Sequence, residues 1–284
     1  MAIDVLVTGA YGRCGTALVD HLQEESDLYF TYLDRSEPPA DHPATDENAY
    51  VADVTDYEAI RPAFDGQDAV VHLAGYSDVD GEFDDVLEPN VVGTNNVLAA
   101  AQDAAIESVV FTSSNHVLGA YETELAPDLY ELNHHLELDH TDPVRPDSYY
   151  GVTKVFGENL GRYYIEDDTY PKRVYALRIG SVRSEEYDHP YGDAERRVED
   201  GEIGRDSKTY ERTVNRMKAI WQSRRDFAHE IECCLRDDHV NFGIFNGVSD
   251  NDRRWLSIEH ARELLGYDPK DNGERWGGPP EESW

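Results

Sequence analysis

Tyr150-Gly151-Val152-Thr153-Lys154 places a phenol and an ammonium four residues apart, which on a helix puts both on one face about a turn apart. A tyrosine, with an ordinary pKa of about 10, is a poor base at neutral pH, and a neighbouring cation is what stabilises its phenolate. So supported, it can take the proton of a hydroxyl as hydride leaves the same carbon. Tyr-x-x-x-Lys also recurs by chance as a surface pair, so its chemistry depends on what else the chain supplies.

A hydride needs an acceptor, and the start of the chain offers a seat for one. Thr8-Gly9-Ala10-Tyr11-Gly12-Arg13-Cys14-Gly15 follows an apolar run and precedes a helical pattern. In that context the glycines permit a tight turn and close backbone approach to a pyrophosphate, whose charge the free N–H groups and dipole of the helix start favour. Gly9, Tyr11, Gly12, Arg13 and Cys14 are therefore candidate cofactor contacts. About 20 residues on, Leu33-Asp34-Arg35 ends a second strand, where a carboxylate can hold both adenosine ribose hydroxyls and repels a 2′-phosphate. Asp34 favours NAD; Arg35 beside it keeps NADP as the alternative. Asp53-Val54 follows a third strand where the adenine would lie, and Leu73-Ala74-Gly75 ends a fourth with small residues that let backbone reach the cofactor. A nicotinamide's positive charge would add to that of Lys154 in stabilising the Tyr150 phenolate, and Lys154 can also hydrogen-bond the nicotinamide ribose.

These residues need a scaffold, and the first half alternates apolar runs with helical patterns, the signature of βαβ units. Strands are expected at Asp4–Thr8, Tyr29–Leu33, Ala49–Val51, Ala69–Leu73 and Ser108–Thr112. Helices are expected at Gly15–Gln23, Tyr57–Phe64 and Asn90–Ala104. Runs apolar on both faces belong at the centre of a sheet covered by helices. Further on, Ser148–Arg162 is a strong helix pattern carrying Tyr150 and Lys154, Arg173–Ile179 a sixth strand, Asn241–Gly247 a further strand and Ser257–Leu265 a helix stopped by Gly266. Ser184–Lys208 is charged and aperiodic, and is expected to be a long loop or partly ordered insertion near the mouth of the site. The expected fold is α/β, a Rossmann-type doubly wound parallel sheet with a small C-terminal substrate-binding part. Residues 1–183 would bind the dinucleotide and include the catalytic helix, 184–272 would be the insertion and substrate region, and 273–284 a tail.

Composition narrows the setting. The chain has 284 residues with 59 Asp+Glu against 25 Lys+Arg, a formal net charge of −34, and the acids are spread among core-forming segments rather than gathered in a tail. Only Lys154, Lys172, Lys208, Lys218 and Lys270 are lysines. An acidic, lysine-poor folded surface suits a cell with high internal salt, where ions screen self-repulsion. The same field repels nucleic-acid phosphates and anionic membranes, so neither is an expected partner. No run approaches the roughly 18 apolar residues of a membrane span, and the N-terminus begins on a strand pattern without a basic leader, so a cytoplasmic location is expected. Cys14, Cys233 and Cys234 lack ligand or disulfide spacing and are expected as reduced thiols; His134-His135 belongs to a polar loop, and no metal site is expected.

The dinucleotide turn, Thr112-Ser113-Ser114-Asn115-His116 at a strand end, and the Tyr150/Lys154 helix together resemble the extended short-chain dehydrogenase/reductase family over nearly the whole chain. The resemblance implies that Ser114 orients the substrate hydroxyl, Tyr150 is the base, Lys154 supports it, and Asn90 and Ile179 lie by the cofactor. Ser114-Asn115-His116, Gly119-Ala120-Tyr121, Arg178-Ile179-Gly180-Ser181 and Ser249-Asp250-Asn251-Asp252 are further similar to uronate dehydrogenases and to archaeal NAD-dependent glucose-6-phosphate dehydrogenases. That similarity implies oxidation of the C1 hydroxyl of a cyclic aldose (a hexose phosphate, uronate or pentose) to the lactone, with hydride passing to NAD(P). It also implies sugar contacts at Ser77, Ser114, Asn115, His116, Tyr150 and Ser181, an arginine at Arg216 aimed at the sugar's far end, and a homo-oligomer, dimer or larger. Two readings stay open for Arg216, substrate clamp or surface arginine, and two for His116, substrate contact or shaper of the pocket.

Two other functions use the same framework. A nucleotide-sugar epimerase or dehydratase would use the Tyr/Lys pair with tightly held NAD, but only 130 residues follow Lys154, little for a nucleotide-sugar domain. An NAD(P)-sensing regulatory protein would not need the Tyr/Lys pair.

Overall fold

The structure, a computed structural model, describes residues 2–167 and 169–280. Seven strands, β1 (Ile3–Thr8), β2 (Leu28–Asp34), β3 (Ala49–Val51), β4 (Ala69–His72), β5 (Ser108–Ser114), β6 (Arg173–Ile179) and β7 (Phe242–Gly247), form one sheet in the order β3-β2-β1-β4-β5-β6-β7. Every pairing is parallel. Strand alternation sorts the core into two layers: Val5 and Val7 of β1 join one cluster, and Leu6 between them joins the other. Such two-sided burial is why these strands are continuous apolar runs.

Helices cover both faces: α1 (Arg13–Leu22), α2 (Tyr57–Ile60), α3 (Phe83–Val86), α4 (Gly93–Asp103), α5 (Gly119–Leu125), α6 (Tyr149–Glu166), α7 (Gly192–Glu199), α8 (Lys208–Ile220), α9 (Arg224–Arg236) and α10 (Glu259–Leu265). Sheet order reverses between β1 and β4, where α1 leaves for one face and α4 for the other. A crevice at the carboxyl ends of strands at such a reversal is where ligands bind in this architecture.

Four features differ from the sequence expectations. The helix expected over Asn90–Ala104 begins with α3 and a wider π-turn at Leu87–Val92 before α4. The stretch expected as a loop over 184–208 is instead built: a 3-10 turn at Glu185–Tyr187, then α7, tied to the end of β6 by Arg183 donating from Nε and Nη2 to Asp193 at 2.5 and 2.6 Å. Helices α5, α8 and α9 went unexpected, although Ser223 caps α9 by accepting from the Asp226 N–H and Phe227, Ile231 and Cys234 form its buried stripe. The expected tail is anchored at its start. Gly273–Arg275 is a 3-10 turn, Glu274 pairs with Arg253 and Lys218, and the Trp276 ring stacks 5.4 Å from His189. Residues 281–284 of that tail lie outside the described residues.

Candidate active site

The glycine turn sits where β1 gives way to α1. Gly9 has φ +70, and a Cβ there would meet the Ala74 backbone N at 2.6 Å. Only glycine lets the two strand ends come this close, and the gap leaves backbone, not side chain, facing the crevice. The Asp34 carboxylate at the end of β2 accepts from the Tyr11 N–H and the Ser36 N–H, both at 3.1 Å. These two bonds fix the carboxylate beside the turn. The Tyr11 hydroxyl is buried and has no partner among the described residues, a polar atom left for a ligand.

Helix α6, which carries Tyr150 and Lys154, is placed by three devices. Ser148 caps it, its hydroxyl accepting from the Gly151 N–H at 3.1 Å. Gly157 lets it lie flat on β5, since a Cβ there would strike the Phe111 ring at 2.2 Å. Finally, Arg178 of β6 donates from Nε and Nη2 to Glu158 of α6 at 2.8 and 2.9 Å, and the Ser113 hydroxyl donates to the same carboxylate at 2.6 Å. Arg178 and Glu158 are almost fully buried, and an ion pair so placed holds only when bidentate and further hydrogen-bonded, as here.

Tyr150 and Lys154 follow from that placement. Lys154 is buried and donates from Nζ to the Thr112 carbonyl at 2.8 Å, with its ammonium 5.5 Å from the centre of the Tyr150 ring. Burial pulls its pKa down to about 8. Burial pushes the Tyr150 phenol the other way, up to about 12, with a hydrogen bond to Ser114 opposing the shift. Desolvation thus outweighs the groups that favour a Tyr150 phenolate, and the Lys154 ammonium is engaged by the Thr112 carbonyl. The further positive charge expected from a bound nicotinamide is what remains to tip the balance.

One cleft of about 950 Å³ gathers most of the candidate residues. Its cofactor end is lined by Gly9, Tyr11, Gly12, Arg13, Cys14, Asp34, Arg35, Asp53, Val54, Leu73, Ala74 and Gly75, and its other end by Ser77, Ser114, Asn115, His116, Tyr150, Ile179, Ser181 and Arg216. Asn90 and Lys154 do not line it. Asn90 accepts from the Tyr76 N–H through Oδ1 at 2.7 Å and donates to the Tyr76 carbonyl and the Thr153 hydroxyl, so it braces the loop after β4 against α6. The Asn115 side-chain amide is buried, with no partner for its Nδ2 among the described residues. His116 is oriented by Asp147, Nδ1 to Oδ2 at 2.8 Å. Burial would raise the Asp147 carboxyl, but hydrogen bonds from His116 and Ser148 hold it below its usual range.

The structure also brings in residues that sequence reasoning passed over. Arg183 and Arg196 line the same cleft, Arg196 from the last turn of α7, inside the stretch expected to be loop. Arg216, expected at the sugar's far end, does reach the cleft. Its guanidinium is already paired, donating from Nε and Nη2 to Glu122 at 2.7 and 3.2 Å.

Parallel strands reversing between β1 and β4, a glycine turn at that reversal and a Tyr/Lys helix beside it define a dinucleotide-dependent oxidoreductase of the short-chain dehydrogenase type. The chain belongs to the NAD dependent epimerase/dehydratase family, whose model matches residues 5–229. It is 42% identical over 273 residues to the NAD-dependent glucose-6-phosphate dehydrogenase of Haloferax volcanii, covering 94% of this chain and 93% of that protein. It is 35% identical over 274 residues to the L-arabinose 1-dehydrogenase (NAD(P)(+)) of the same organism, covering 94% and 96%. Among solved structures, a mutant uronate dehydrogenase from Agrobacterium tumefaciens complexed with NAD matches with a TM-score of 0.73 at 27% identity, covering 100% of this chain and 93% of that one.

Proposed function

We propose that this protein oxidises the C1 hydroxyl of a cyclic aldose to the lactone, with NAD as the hydride acceptor. The observation that carries the reading is that Ser114, Asn115 and Tyr150 open on the same cleft as the glycine turn and Asp34. NAD, once seated, supplies the electrophilic carbon that accepts the hydride. The chain's own residues do the rest. Ser114 and the unpartnered Asn115 amide hold sugar hydroxyls, the Tyr150 oxygen receives the C1 hydroxyl proton, and Lys154, anchored on Thr112, keeps positive charge beneath the ring. Asp34 favours NAD over NADP by repelling a 2′-phosphate, and Arg35 leaves a residual use of NADP.

The relatives named above act on glucose 6-phosphate and L-arabinose, and the matching structure on a uronate, so the substrate belongs to that set of aldoses. The acidic, lysine-poor surface fits a cytoplasm of high salt. The exposed Tyr149, Val152 and Tyr163 of α6 offer a face for a second copy, in keeping with a homo-oligomer. Residues 1–183 would carry the dinucleotide, and 184–272 the substrate side. The test is a panel of hexose phosphates, uronates and pentoses in molar salt with NAD and NADP side by side. Reduced-cofactor absorbance should rise with at least one sugar, and silence across the panel would sink the proposal. Copurified NAD with no net turnover would favour an epimerase or dehydratase of the same family instead.

A further inference from the structure

A second recess of about 580 Å³ adjoins the sugar end of the cleft, the two sharing His116, Arg196 and Arg216. Its wall carries Arg196 and Arg197 of α7 and Arg212 and Arg216 of α8. In a chain with a formal net charge of −34, four guanidinium groups around one recess is a concentration that composition would not produce by itself.

The acids that share the wall are already engaged. Glu122 is held by Arg216 and by the Tyr130 hydroxyl at 2.9 Å, Asp147 by His116, and Asp193 by Arg183. Arg197 pairs with Glu202. Arg196 and Arg212 have no carboxylate partner among the described residues, whereas most arginines of this chain have one. Arg212 and Arg216 are also like charges at i and i+4 on α8, a pairing that destabilises a helix. At high salt the Debye length shrinks to about 3 Å, so long-range attraction is lost and an anion must be gripped by direct hydrogen bonds. Several arginines converging on one group supply that grip, and a phosphate offers more acceptor oxygens to them than a carboxylate does.

We infer that this recess is the phosphate subsite of the sugar site, with Arg196 and Arg212 as the phosphate's ligands and Arg216 held back by Glu122. The inference rests on the proposed C1 oxidation, because it places the phosphoryl end of the sugar away from Tyr150. It names a phosphorylated aldose as substrate and moves the recognising charge from the arginine legible in sequence to two that were not.

The experiment compares kcat/KM for glucose 6-phosphate, glucose and glucuronate in the intact protein, in an Arg196→Ala/Arg212→Ala double variant, and in Arg162→Ala. Arg162 of α6 stacks over Phe242 of β7 and does not line either cavity, so it controls for the change of net charge. The intact protein should prefer the phosphate ester. The double variant should lower the ratio of kcat/KM for glucose 6-phosphate over glucose by at least about tenfold, chiefly through KM, and Arg162→Ala should leave that ratio in place. An unchanged ratio in the double variant, or an intact protein that prefers glucuronate or glucose, overturns the inference while leaving C1 oxidation standing. If no sugar is oxidised, the proposed function fails, and calorimetric binding of glucose 6-phosphate still decides the subsite. Weaker binding by at least about tenfold in the double variant supports it, and equal binding overturns it.

Discussion

Arg216 of α8 is bound by the buried carboxylate of Glu122 of α5, through Nε at 2.7 Å and Nη2 at 3.2 Å, with the Tyr130 hydroxyl on the same carboxylate. An arginine so paired cannot also offer its fork to a substrate carboxylate without breaking a contact that burial has made strong. Glu122→Gln would keep a hydrogen-bond acceptor but cancel the opposing charge. Use of glucuronate relative to a neutral aldose should rise about tenfold, which corresponds to about 1.4 kcal/mol of recovered electrostatic attraction. Stability should fall by about 1–3 kcal/mol as the buried pair is weakened. Steady-state kinetics with denaturant unfolding checks both, and an unchanged substrate ratio would mean that Arg216 plays no part in reading the far end.

Tyr150→Phe removes the proton acceptor and leaves the ring. Turnover should drop by about two to four orders of magnitude, the usual contribution of a positioned acid–base group. NADH binding, followed by fluorescence, should stay close to that of the intact protein, since the glycine turn and Asp34 are untouched. Retained turnover would remove Tyr150 from the role of base.

Asp34 accepts the Tyr11 and Ser36 N–H groups and so presents a fixed negative charge at the end of β2. Asp34→Ala should raise the kcat/KM ratio of NADP over NAD by about tenfold, through relief of like-charge repulsion and loss of ribose hydrogen bonds. A ratio that does not move would show that Arg35 or the third-strand loop sets cofactor choice.

Glu230 of α9 is buried, among the described residues only Gln222 donates to it, at 2.7 Å, and burial pushes its carboxyl up from 4.5 to about 8. Between those values the folded chain holds a proton that the unfolded chain has released, so this group makes stability fall as pH rises. The loss across that window should be on the order of a few kcal/mol. Glu230→Gln stays neutral throughout, so the gap between intact protein and variant should widen in the variant's favour from pH 5 to pH 8. Parallel denaturation curves at the two pH values would contradict the shift.

The succession of strands along the chain and the glycine turn after the first of them were legible because both rest on local rules. A continuous apolar run such as Val5–Val7 must be covered on both faces, and Gly9 is required by a positive φ that any reading of a strand-to-helix turn anticipates. The capping serine and buried stripe of α9 obey equally local rules and were there to be found. The built region over 184–208 was hidden for another reason. Helix α7 is polar along most of its length and is held by pairs such as Arg183–Asp193, whose partners are not marked by periodicity.

By itself, the sequence determined the fold class, the glycine turn, Asp34 and the shared face of Tyr150 and Lys154, because each depends on backbone freedom or on spacing along one element. Tertiary structure decided the state and use of those groups. Burial, absent from any linear pattern, raises the Tyr150 phenol and lowers the Lys154 ammonium. Contacts between distant segments spend Arg216 on Glu122 and leave Arg196 and Arg212 without a carboxylate partner among the described residues. Charge is read from composition, but whether a charge is available is set by what folds against it.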